Sequence, residues 1–309
     1  LITGGSGFLG RQIVAKVREA GHRVWAPRSD QFNLDTVSTC MEYFETLGCI
    51  DVLIHSAAYY GGIGINQAEP ATIIYKNLRM ATTVFEIARK LRVKKIIPIG
   101  SACAYPGHLQ GDLKESRFWD GALHDSVEAY GITKKIQLVL QRAYYKQHGI
   151  ESNHLILTNL YGPHDVFTEY RSHVLSALIK KFADAVAQNS DKVTLWGDGS
   201  PIREFLYVED AADAIVKTIE AKHDLSPINI GTGVGTSIKQ LAELIKEIVG
   251  FRGDIIWDTT KPNGAKRKVL SIYKVSMKLE WKAKTTLKAG LLKTISWYLQ
   301  NKESADARQ

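Results

Sequence analysis

The sequence predicts an α/β protein in which a doubly wound parallel sheet is followed by a smaller C-terminal domain. Short hydrophobic runs alternate with segments of helical periodicity through the first half of the chain. A glycine-rich turn joins the first run to the first helical segment, and the regular alternation stops after Thr158. Strands that alternate with helices favour a parallel sheet, whose ligands bind beyond the carboxyl ends of the strands.

The elements of the first half follow from their hydrophobic period. A period near 3.6 residues indicates a helix, and a short apolar run bounded by turn residues indicates a strand. The first predicted strand lies at the start of the chain, and the others are residues 23–27, 50–55, 95–100 and 152–157. The predicted helices are 8–20, 35–47, 73–91 and 127–147.

The domain boundaries follow from the break in this alternation. Residues 1–164 form the predicted first domain, which also receives residues 204–230. Residues 165–203 and 231–309 form the predicted smaller domain. The polar end of the chain, residues 301–309, is predicted to be frayed.

Composition excludes several classes of function. The 309 residues suffice for two domains of about 150 residues each. The formal net charge is +8, but the basic residues are spread along the chain without interleaved aromatics, which disfavours nucleic-acid binding. No apolar run approaches the ~20 residues that cross a bilayer, so we expect no membrane insertion. Cys40, Cys49 and Cys103 lack metal-ligand spacing and cannot all pair, which favours a cytoplasmic protein without a metal site.

The glycine-rich turn is a candidate site for a dinucleotide. Gly5, Gly7 and Gly10 fit the pattern G-x-G-x-x-G, whereas Gly4, Gly7 and Gly10 fit a variant with two residues in the first gap. Glycines let the backbone turn tightly and approach a pyrophosphate, which then lies at the N-terminus of the following helix. The candidate cofactor contacts here are Gly4, Gly7, Phe8, Leu9 and Gly10.

A second motif supplies groups for acid–base chemistry. Ser101 and Cys103 follow a predicted strand, two residues apart. Tyr130 and Lys134 share one face of a predicted helix because their spacing is i, i+4. A lysine ammonium beside a phenol favours the phenolate, so we expect the pKa of Tyr130 to be lowered toward neutral pH. A serine hydroxyl near that phenol can hydrogen-bond a substrate carbonyl.

The glycine turn with Ser101, Tyr130 and Lys134 resembles the extended short-chain dehydrogenase/reductase family, over nearly the whole chain. The resemblance implies a Rossmann domain that binds NAD or NADP and a smaller domain that binds a sugar nucleotide. In these enzymes an acidic residue after the second strand holds the NAD ribose. Arg28 stands at that place here and favours NADP(H), because arginine pairs with a 2′-phosphate. Asp30 lies about 20 residues after Gly10, the spacing of an acid that binds the NAD ribose, so NAD remains an alternative cofactor.

The remaining cofactor contacts lie after later strands. Ala57 belongs to a run of small residues that lets the cofactor lie close to the backbone. The loop 59–66 carries two tyrosines among three glycines and is a candidate wall of the active site. Asn77, in the following helix, and Asn159, in a later turn-rich loop, complete the contacts that the resemblance implies.

Four segments narrow the resemblance to enzymes that epimerise and reduce GDP-4-keto-6-deoxymannose. These are residues 100–106, 158–165, 172–174 and 201–205. The implied reaction is NADPH-dependent 3,5-epimerisation and 4-reduction of a GDP-4-keto-6-deoxy sugar, which gives GDP-L-fucose or a close relative. Residues 107–126 depart from the pattern of those enzymes and lie beside the predicted active site.

This narrower resemblance implies a role for each catalytic candidate. Cys103 and His173 form a base and acid pair for C3 and C5, whose C–H bonds the C4 ketone acidifies. Hydride from NADPH then reaches C4, and Tyr130 protonates the ketone oxygen. Ser101 orients that oxygen, while Lys134 holds the nicotinamide ribose and tunes the tyrosine.

Substrate contacts are expected from the smaller domain. Lys181, Arg203 and Lys268 are candidates for the diphosphate of the sugar nucleotide. Trp196 is a candidate for packing near the base, and a tryptophan in the core is the alternative.

The resemblance also implies a homodimer in which helices 73–91 and 127–147 pack against their copies. Apolar residues on more than one face of the second helix support this expectation. They include Ile136, Leu138, Val139 and Leu140.

Three other functions remain open. One is a 4-keto reductase of sugar nucleotides without epimerisation. Another is a C4 epimerase that recycles a tightly held NAD, against which Arg28, Cys103 and His173 argue. The last is a catalytically silent cofactor-binding regulator, against which Ser101, Tyr130 and Lys134 argue, because a silent binder has no need of all three.

Overall fold

The computed structural model describes residues 1–44, 48–168, 171–261 and 263–307. Its helices are α1 (Phe8–Glu19), α2 (Val37–Phe44), α3 (Ile63–Ala68), α4 (Pro70–Lys90), α5 (Glu128–His148), α6 (Val174–Ala187), α7 (Val208–Lys217), α8 (Ile238–Val249), α9 (Tyr273–Leu279), α10 (Leu287–Gln300) and α11 (Lys302–Asp306). Its strands are β1 (Ile2–Thr3), β2 (Val52–His55), β3 (Lys95–Ser101), β4 (Asp112–Leu113), β5 (Glu151–Leu157), β6 (Asn159–Tyr161), β7 (Lys192–Trp196), β8 (Ile202–Arg203), β9 (Phe205–Tyr207), β10 (Asp224–Ile230), β11 (Thr236–Ser237), β12 (Asp254–Asp258) and β13 (Arg267–Leu270).

The central sheet is parallel and has the strand order β1-β2-β3-β5-β10. Ile13 of α1 and Ile215 of α7 pack on one face of the sheet. Val84 of α4 and Leu140 of α5 pack on the other face. Strands covered on both faces read as nearly continuous apolar runs. Helices on both faces of a parallel sheet confirm the predicted doubly wound α/β fold.

The predicted helices of the first half are confirmed to within a few residues. Residues 8–20, 73–91 and 127–147 correspond to α1, α4 and α5. The predicted helix 35–47 appears as α2, and residues 45–47 lie outside the described part of the chain.

The predicted strand 23–27 is wrong. Within the described residues this segment belongs to none of the strands, and its one backbone bond to β1 runs from Ile2 N to Trp25 O at 2.8 Å. The physical reason is that a strand needs a series of backbone hydrogen bonds to its neighbour, and this segment makes one such bond to β1.

A second core lies apart from the central sheet. Phe182 of α6, Leu241 of α8 and Leu291 of α10 pack together there, beside the parallel pair β7 and β12. The strand β10, from the segment predicted to return to the first domain, forms an edge of the central sheet.

The predicted frayed tail is wrong for the part that the structure describes. Residues 302–306 form α11, and Asp306 fastens it to the second core. Tyr298 donates a hydrogen bond to Asp306 Oδ1 at 3.0 Å, and Lys180 Nζ lies 2.9 Å from Asp306 Oδ2. Residues 308 and 309 lie outside the described ranges. Among the helices described, none has the length and apolar character that a membrane crossing requires.

Candidate active site

The glycine turn brings three backbone segments into close contact. Gly4 has a φ of +71°, and its carbonyl accepts a hydrogen bond from Gly7 N at 2.9 Å. A Cβ on Gly10 would lie 1.9 Å from Gly4 O, and a Cβ on Gly4 would lie 2.7 Å from Ala57 N. Helix α1 begins at Phe8 without a side-chain cap, so its first amide groups remain available to an anion. This turn therefore fits the pyrophosphate of a dinucleotide.

The other predicted cofactor residues surround this turn. Ala57 N lies 3.3 Å from Thr3 Oγ1, its hydrogen-bond acceptor. Leu9 is partly buried against the core on the α1 face of the sheet. Arg28 is largely exposed, with its Nε 3.6 Å from Asp30 Oδ1. This loose, solvated ion pair lies near the predicted ribose end of the site.

Asn77 is buried and holds the loop that follows β2. Its Nδ2 donates to Tyr59 O at 2.8 Å and to Ile73 O at 2.9 Å. Its Oδ1 accepts from Tyr59 N at 3.0 Å. The side-chain amide of Asn77 is therefore bonded to backbone groups, and Asn77 acts on the predicted cofactor site by positioning this loop.

Ser101 and Cys103 are held in one turn at the carboxyl end of β3. A short 3₁₀ turn over Ala102–Ala104 follows the strand, and Ser101 Oγ accepts a hydrogen bond from Cys103 N at 3.2 Å. A Cβ on Gly131 of α5 would lie 2.6 Å from Cys103 O. The helix that carries Tyr130 therefore touches the turn that carries the hydroxyl and the thiol.

Burial sets the protonation of the tyrosine and lysine. Lys134 Nζ donates to Ile99 O at 2.9 Å and lies 5.4 Å from the centre of the Tyr130 ring. Burial lowers the pKa of Lys134 to about 8. Burial also raises the pKa of Tyr130 above its ordinary value, and the neighbouring Cys103 and Tyr60 add to the rise. The expected lowering of the Tyr130 pKa is therefore wrong, because loss of solvation outweighs the lysine charge, and the phenol keeps its proton.

His173 joins this group through the loop after β2. It is the residue before α6, and burial lowers the pKa of its imidazole. The Tyr60 ring stacks on that imidazole, with the ring centres 6.1 Å apart and the planes at 13°. Tyr60 also contributes to the raised pKa of Tyr130, so the residue that stacks on His173 lies within electrostatic reach of Tyr130.

Two of the predicted substrate residues are neighbours in a small sheet. Arg203 of β8 and Lys268 of β13 are Cα partners in the sheet of order β11-β8-β13-β4. Arg203 Nη1 donates to Ala265 O at 2.6 Å. Burial lowers the pKa of Arg203, and Cys103 opposes this shift. The guanidinium therefore lies within electrostatic reach of the turn that carries Ser101 and Cys103.

The other two predicted substrate residues lie farther along the second core. Trp196 is 64% exposed, with Lys261 Nζ 5.8 Å from its ring centre, so the alternative of a core tryptophan is wrong. Lys181 Nζ lies 3.5 Å from Thr194 O. Within the described residues, none of its contacts joins it to Arg203.

A buried carboxylate that sequence reasoning did not single out shapes this region. Glu204 accepts hydrogen bonds from Gly233 N and Leu270 N, both at 2.7 Å, and burial raises its pKa. Asn159 Nδ2 donates to Glu204 O at 2.9 Å. The available signal was an acid placed directly between Arg203 and the apolar run 205–208. Glu204 ties together the segments that carry Arg203, Asn159 and β13.

The chain belongs to the NAD dependent epimerase/dehydratase family, and the match covers residues 1–231. It is 38% identical over 301 residues to GDP-L-fucose synthase 1 of Arabidopsis thaliana, which covers 97% of this chain and 93% of the relative. A GDP-L-fucose synthetase from Naegleria fowleri bound to NADP superposes with a TM-score of 0.89 at 28% identity, covering 99% of this chain and 93% of that one. A GDP-6-OMe-4-keto-L-xylo-heptose reductase from C. jejuni also has a TM-score of 0.89, at 26% identity over 97% of each chain.

Proposed function

We propose that this protein converts a GDP-4-keto-6-deoxy sugar into GDP-L-fucose or a close relative, by 3,5-epimerisation and NADPH-dependent 4-reduction. The observation that carries the proposal is that Cys103 and Tyr60 both contribute to the raised pKa of Tyr130, while the Tyr60 ring stacks on the imidazole of His173. The names of the Arabidopsis relative and of the Naegleria structure support the same activity.

The glycine turn at the carboxyl edge of the sheet would hold the cofactor. The uncapped N-terminus of α1 would hold the pyrophosphate, and Arg28 would offer its guanidinium to the 2′-phosphate of NADP. Lys134 has two further donor hydrogens besides the one given to Ile99 O, and these would be available to the nicotinamide ribose. When bound, NADPH supplies the hydride for C4.

Epimerisation precedes reduction because only the C4 ketone acidifies the hydrogens at C3 and C5. Ser101 donates a hydrogen bond to the ketone oxygen and stabilises the enolate. Cys103 removes a proton from one face of the sugar, and His173 delivers a proton to the other face. Burial lowers the pKa of His173, so its imidazole is mostly neutral at neutral pH, and the fraction that carries a proton is a stronger acid than an unperturbed imidazole.

Reduction uses the proton that Tyr130 retains. Its raised pKa keeps the phenol protonated at neutral pH, so it can donate to the C4 oxygen as that oxygen gains negative charge. Lys134, whose pKa is about 8, is mostly charged at pH 7 and stabilises the resulting phenolate.

We assign substrate binding to the smaller domain. Arg203 and Lys268 hold the diphosphate, Lys181 contributes a further positive charge, and Trp196 packs on the base. The exposure of Trp196 and the pairing of Arg203 with Lys268 support this assignment.

We divide the chain as the sequence suggests. Residues 1–164 with 204–230 form the cofactor domain, and residues 165–203 with 231–309 form the substrate domain. The place of β10 at the edge of the central sheet supports the division. The free thiols of all three cysteines support a cytoplasmic location, and a homodimer completes the proposal.

A reductase without epimerisation is the second candidate. The C. jejuni reductase superposes as well as the Naegleria synthetase does. The departing segment 107–126 also packs beside the catalytic turn, where Phe118 meets Tyr105 edge to face with the ring centres 5.2 Å apart. Arg28 weighs against the third candidate, a C4 epimerase that recycles NAD.

Product analysis by NMR separates these candidates. The protein is incubated in D₂O with NADPH and GDP-4-keto-6-deoxymannose. We expect GDP-L-fucose that carries deuterium at C3 and C5. A 6-deoxy product of unchanged configuration at these carbons, without deuterium, would refute the epimerase and leave the reductase.

A further inference from the structure

We propose that Tyr60 is a positioning residue for His173, which it holds beside Tyr130 by stacking on the imidazole. The inference deepens the proposed function and rests on it, because it takes His173 as the proton donor for sugar inversion. Tyr60 does no proton transfer of its own in this proposal.

The first observation is the stacked pair itself. The nearly parallel planes, at 13°, and the 6.1 Å between ring centres make an offset stack of Tyr60 on His173. The imidazole belongs to the residue that precedes α6, and it makes no side-chain capping bond to the helix. The tyrosine ring thus lies over one face of the imidazole, where it can orient the imidazole plane.

The second observation places Tyr60 on the catalytic side of His173. Tyr60 contributes to the raised pKa of Tyr130, so its phenol lies within electrostatic reach of that residue. Tyr60 is therefore linked both to the proposed acid for the C4 oxygen and, through the stack, to the proposed acid for the sugar carbons. A shift of its ring would move His173 relative to the sugar that Tyr130 binds.

The third observation is a tight backbone clamp between the Tyr60 loop and the segment before His173. Gly62 N donates to Arg171 O at 3.1 Å, and Arg171 Nη2 donates to Tyr60 O at 3.1 Å. A Cβ on Gly62 would lie 2.5 Å from Ser172 O. These contacts fix the two segments to each other, so the stack is built into the fold.

The test compares variants of Tyr60 with one of His173. Tyr60→Phe keeps the ring, whereas Tyr60→Leu removes it, and Tyr60→Met serves in place of leucine if that variant does not fold. Tyr273→Leu is the matched control, because Tyr273 is 75% exposed on α9. His173→Gln reports on the proposed function itself. Each protein receives GDP-4-keto-6-deoxymannose and NADPH in D₂O, and the ratio of inverted to unepimerised product is measured beside the KM for NADPH.

We expect Tyr60→Leu to lower the ratio of inverted to unepimerised product by 10- to 10²-fold, the cost of a misplaced catalytic group. NADPH binding and ketone reduction should stay close to wild type, and Tyr60→Phe and Tyr273→Leu should retain the wild-type ratio. In proton NMR, the ring-current shift of the His173 imidazole should persist in Tyr60→Phe and vanish in Tyr60→Leu.

Two results would overturn the inference. One is a wild-type product ratio in Tyr60→Leu while His173→Gln loses inversion, which would leave the proposed function intact. The other is an equal loss of inversion and reduction in Tyr60→Leu, which would make the ring a general structural element. If His173→Gln itself keeps the wild-type product ratio, the proposed role of His173 fails and this inference fails with it.

Discussion

At the scale of single residues, burial decides what the catalytic groups can do. Tyr130 and Lys134 have the i, i+4 spacing of an acid–base pair, yet burial raises the pKa of the tyrosine and lowers that of the lysine. A neutral phenol is suited to give a proton to a ketone oxygen that gains charge. The lysine charge is most useful after that transfer, when it faces a phenolate.

The two chemical steps should therefore fail separately in single variants. Cys103→Ser replaces the thiol by a much weaker base, so deuterium exchange at C3 and C5 should be lost while slow reduction of the unepimerised ketone continues. Tyr130→Phe should cost on the order of 10²–10⁴ in reduction rate and leave the exchange largely intact. Deuterium incorporation measured beside NADPH oxidation checks both. Wild-type epimerisation by Cys103→Ser would make the thiol structural.

Cofactor preference is also decided by one residue. Arg28 is largely exposed, and its Nε lies 3.6 Å from Asp30 Oδ1 in a solvated ion pair, so it can turn to a 2′-phosphate. We expect Arg28→Asp to weaken NADPH binding by roughly 10- to 10²-fold, the worth of a charged hydrogen bond, and to leave NADH binding nearly unchanged. Fluorescence titration with both cofactors measures the shift. If the wild-type protein binds NADH as tightly as NADPH, the assignment to Arg28 does not stand.

At the scale of elements, two strands of the central sheet carry buried histidines within electrostatic reach of Lys134. His55 of β2 and His154 of β5 are fully buried. Burial, together with the nearby charge of Lys134, lowers the pKa of each to about 3. Neither His154 ring nitrogen has a hydrogen-bond partner among the described residues. Both strands therefore carry neutral imidazoles, which must gain a proton when the protein unfolds in mild acid.

The difference between the histidine pKa values of the folded and unfolded states predicts how the free energy of unfolding depends on pH. The unfolded histidines take up protons below pH 6.5, but the folded ones do so only near pH 3. The stabilisation is complete above pH 6.5 and is lost as the pH falls toward 3. Between pH 7 and pH 5 each histidine should cost about 2 kcal/mol of unfolding free energy.

Urea unfolding at the two pH values measures this loss. His154→Leu should remove the contribution of that histidine, about 2 kcal/mol, whereas the same change at the exposed His22 should leave the difference unaltered. An unchanged pH dependence in His154→Leu would show that other groups govern acid unfolding.

At the scale of the whole molecule, α4 and α5 offer an outer surface for a second copy of the chain. The structure divides the apolar residues of α5: Leu138 is fully buried, and Val139 is 49% exposed. Tyr75 on α4 and Ile132 on α5 are also exposed, at 59% and 36%. An apolar patch on two neighbouring helices suits a two-fold symmetric contact.

We therefore expect light scattering to give a dimer mass at micromolar concentration. Val139→Glu places a charge in the contact and should shift the protein toward monomer. Val186→Glu is the matched control, because Val186 is 41% exposed on α6, and this variant should stay dimeric. A monomer mass for the wild-type protein would contradict the proposal.

Local patterns were sufficient for the sheet, its helices and the main motifs. Hydrophobic period, the glycine spacing around Gly10 and the i, i+4 interval between Tyr130 and Lys134 are all written in neighbouring residues. Periodicity did not reveal that residues 23–27 form no strand. Strand formation depends on backbone hydrogen bonds to a neighbouring segment, which the local hydrophobic pattern does not report.

The tertiary structure alone decided the chemistry of the site. The raised pKa of Tyr130 follows from its burial in the assembled fold. The stack of Tyr60 on His173 and the hydrogen bonds of Glu204 join segments that are distant in sequence. Sequence spacing identifies which groups are present, but solvation and contact depend on what packs over them. Burial is a property of the assembled fold, and here it outweighs the attraction that the sequence predicted between a lysine and its neighbouring phenol.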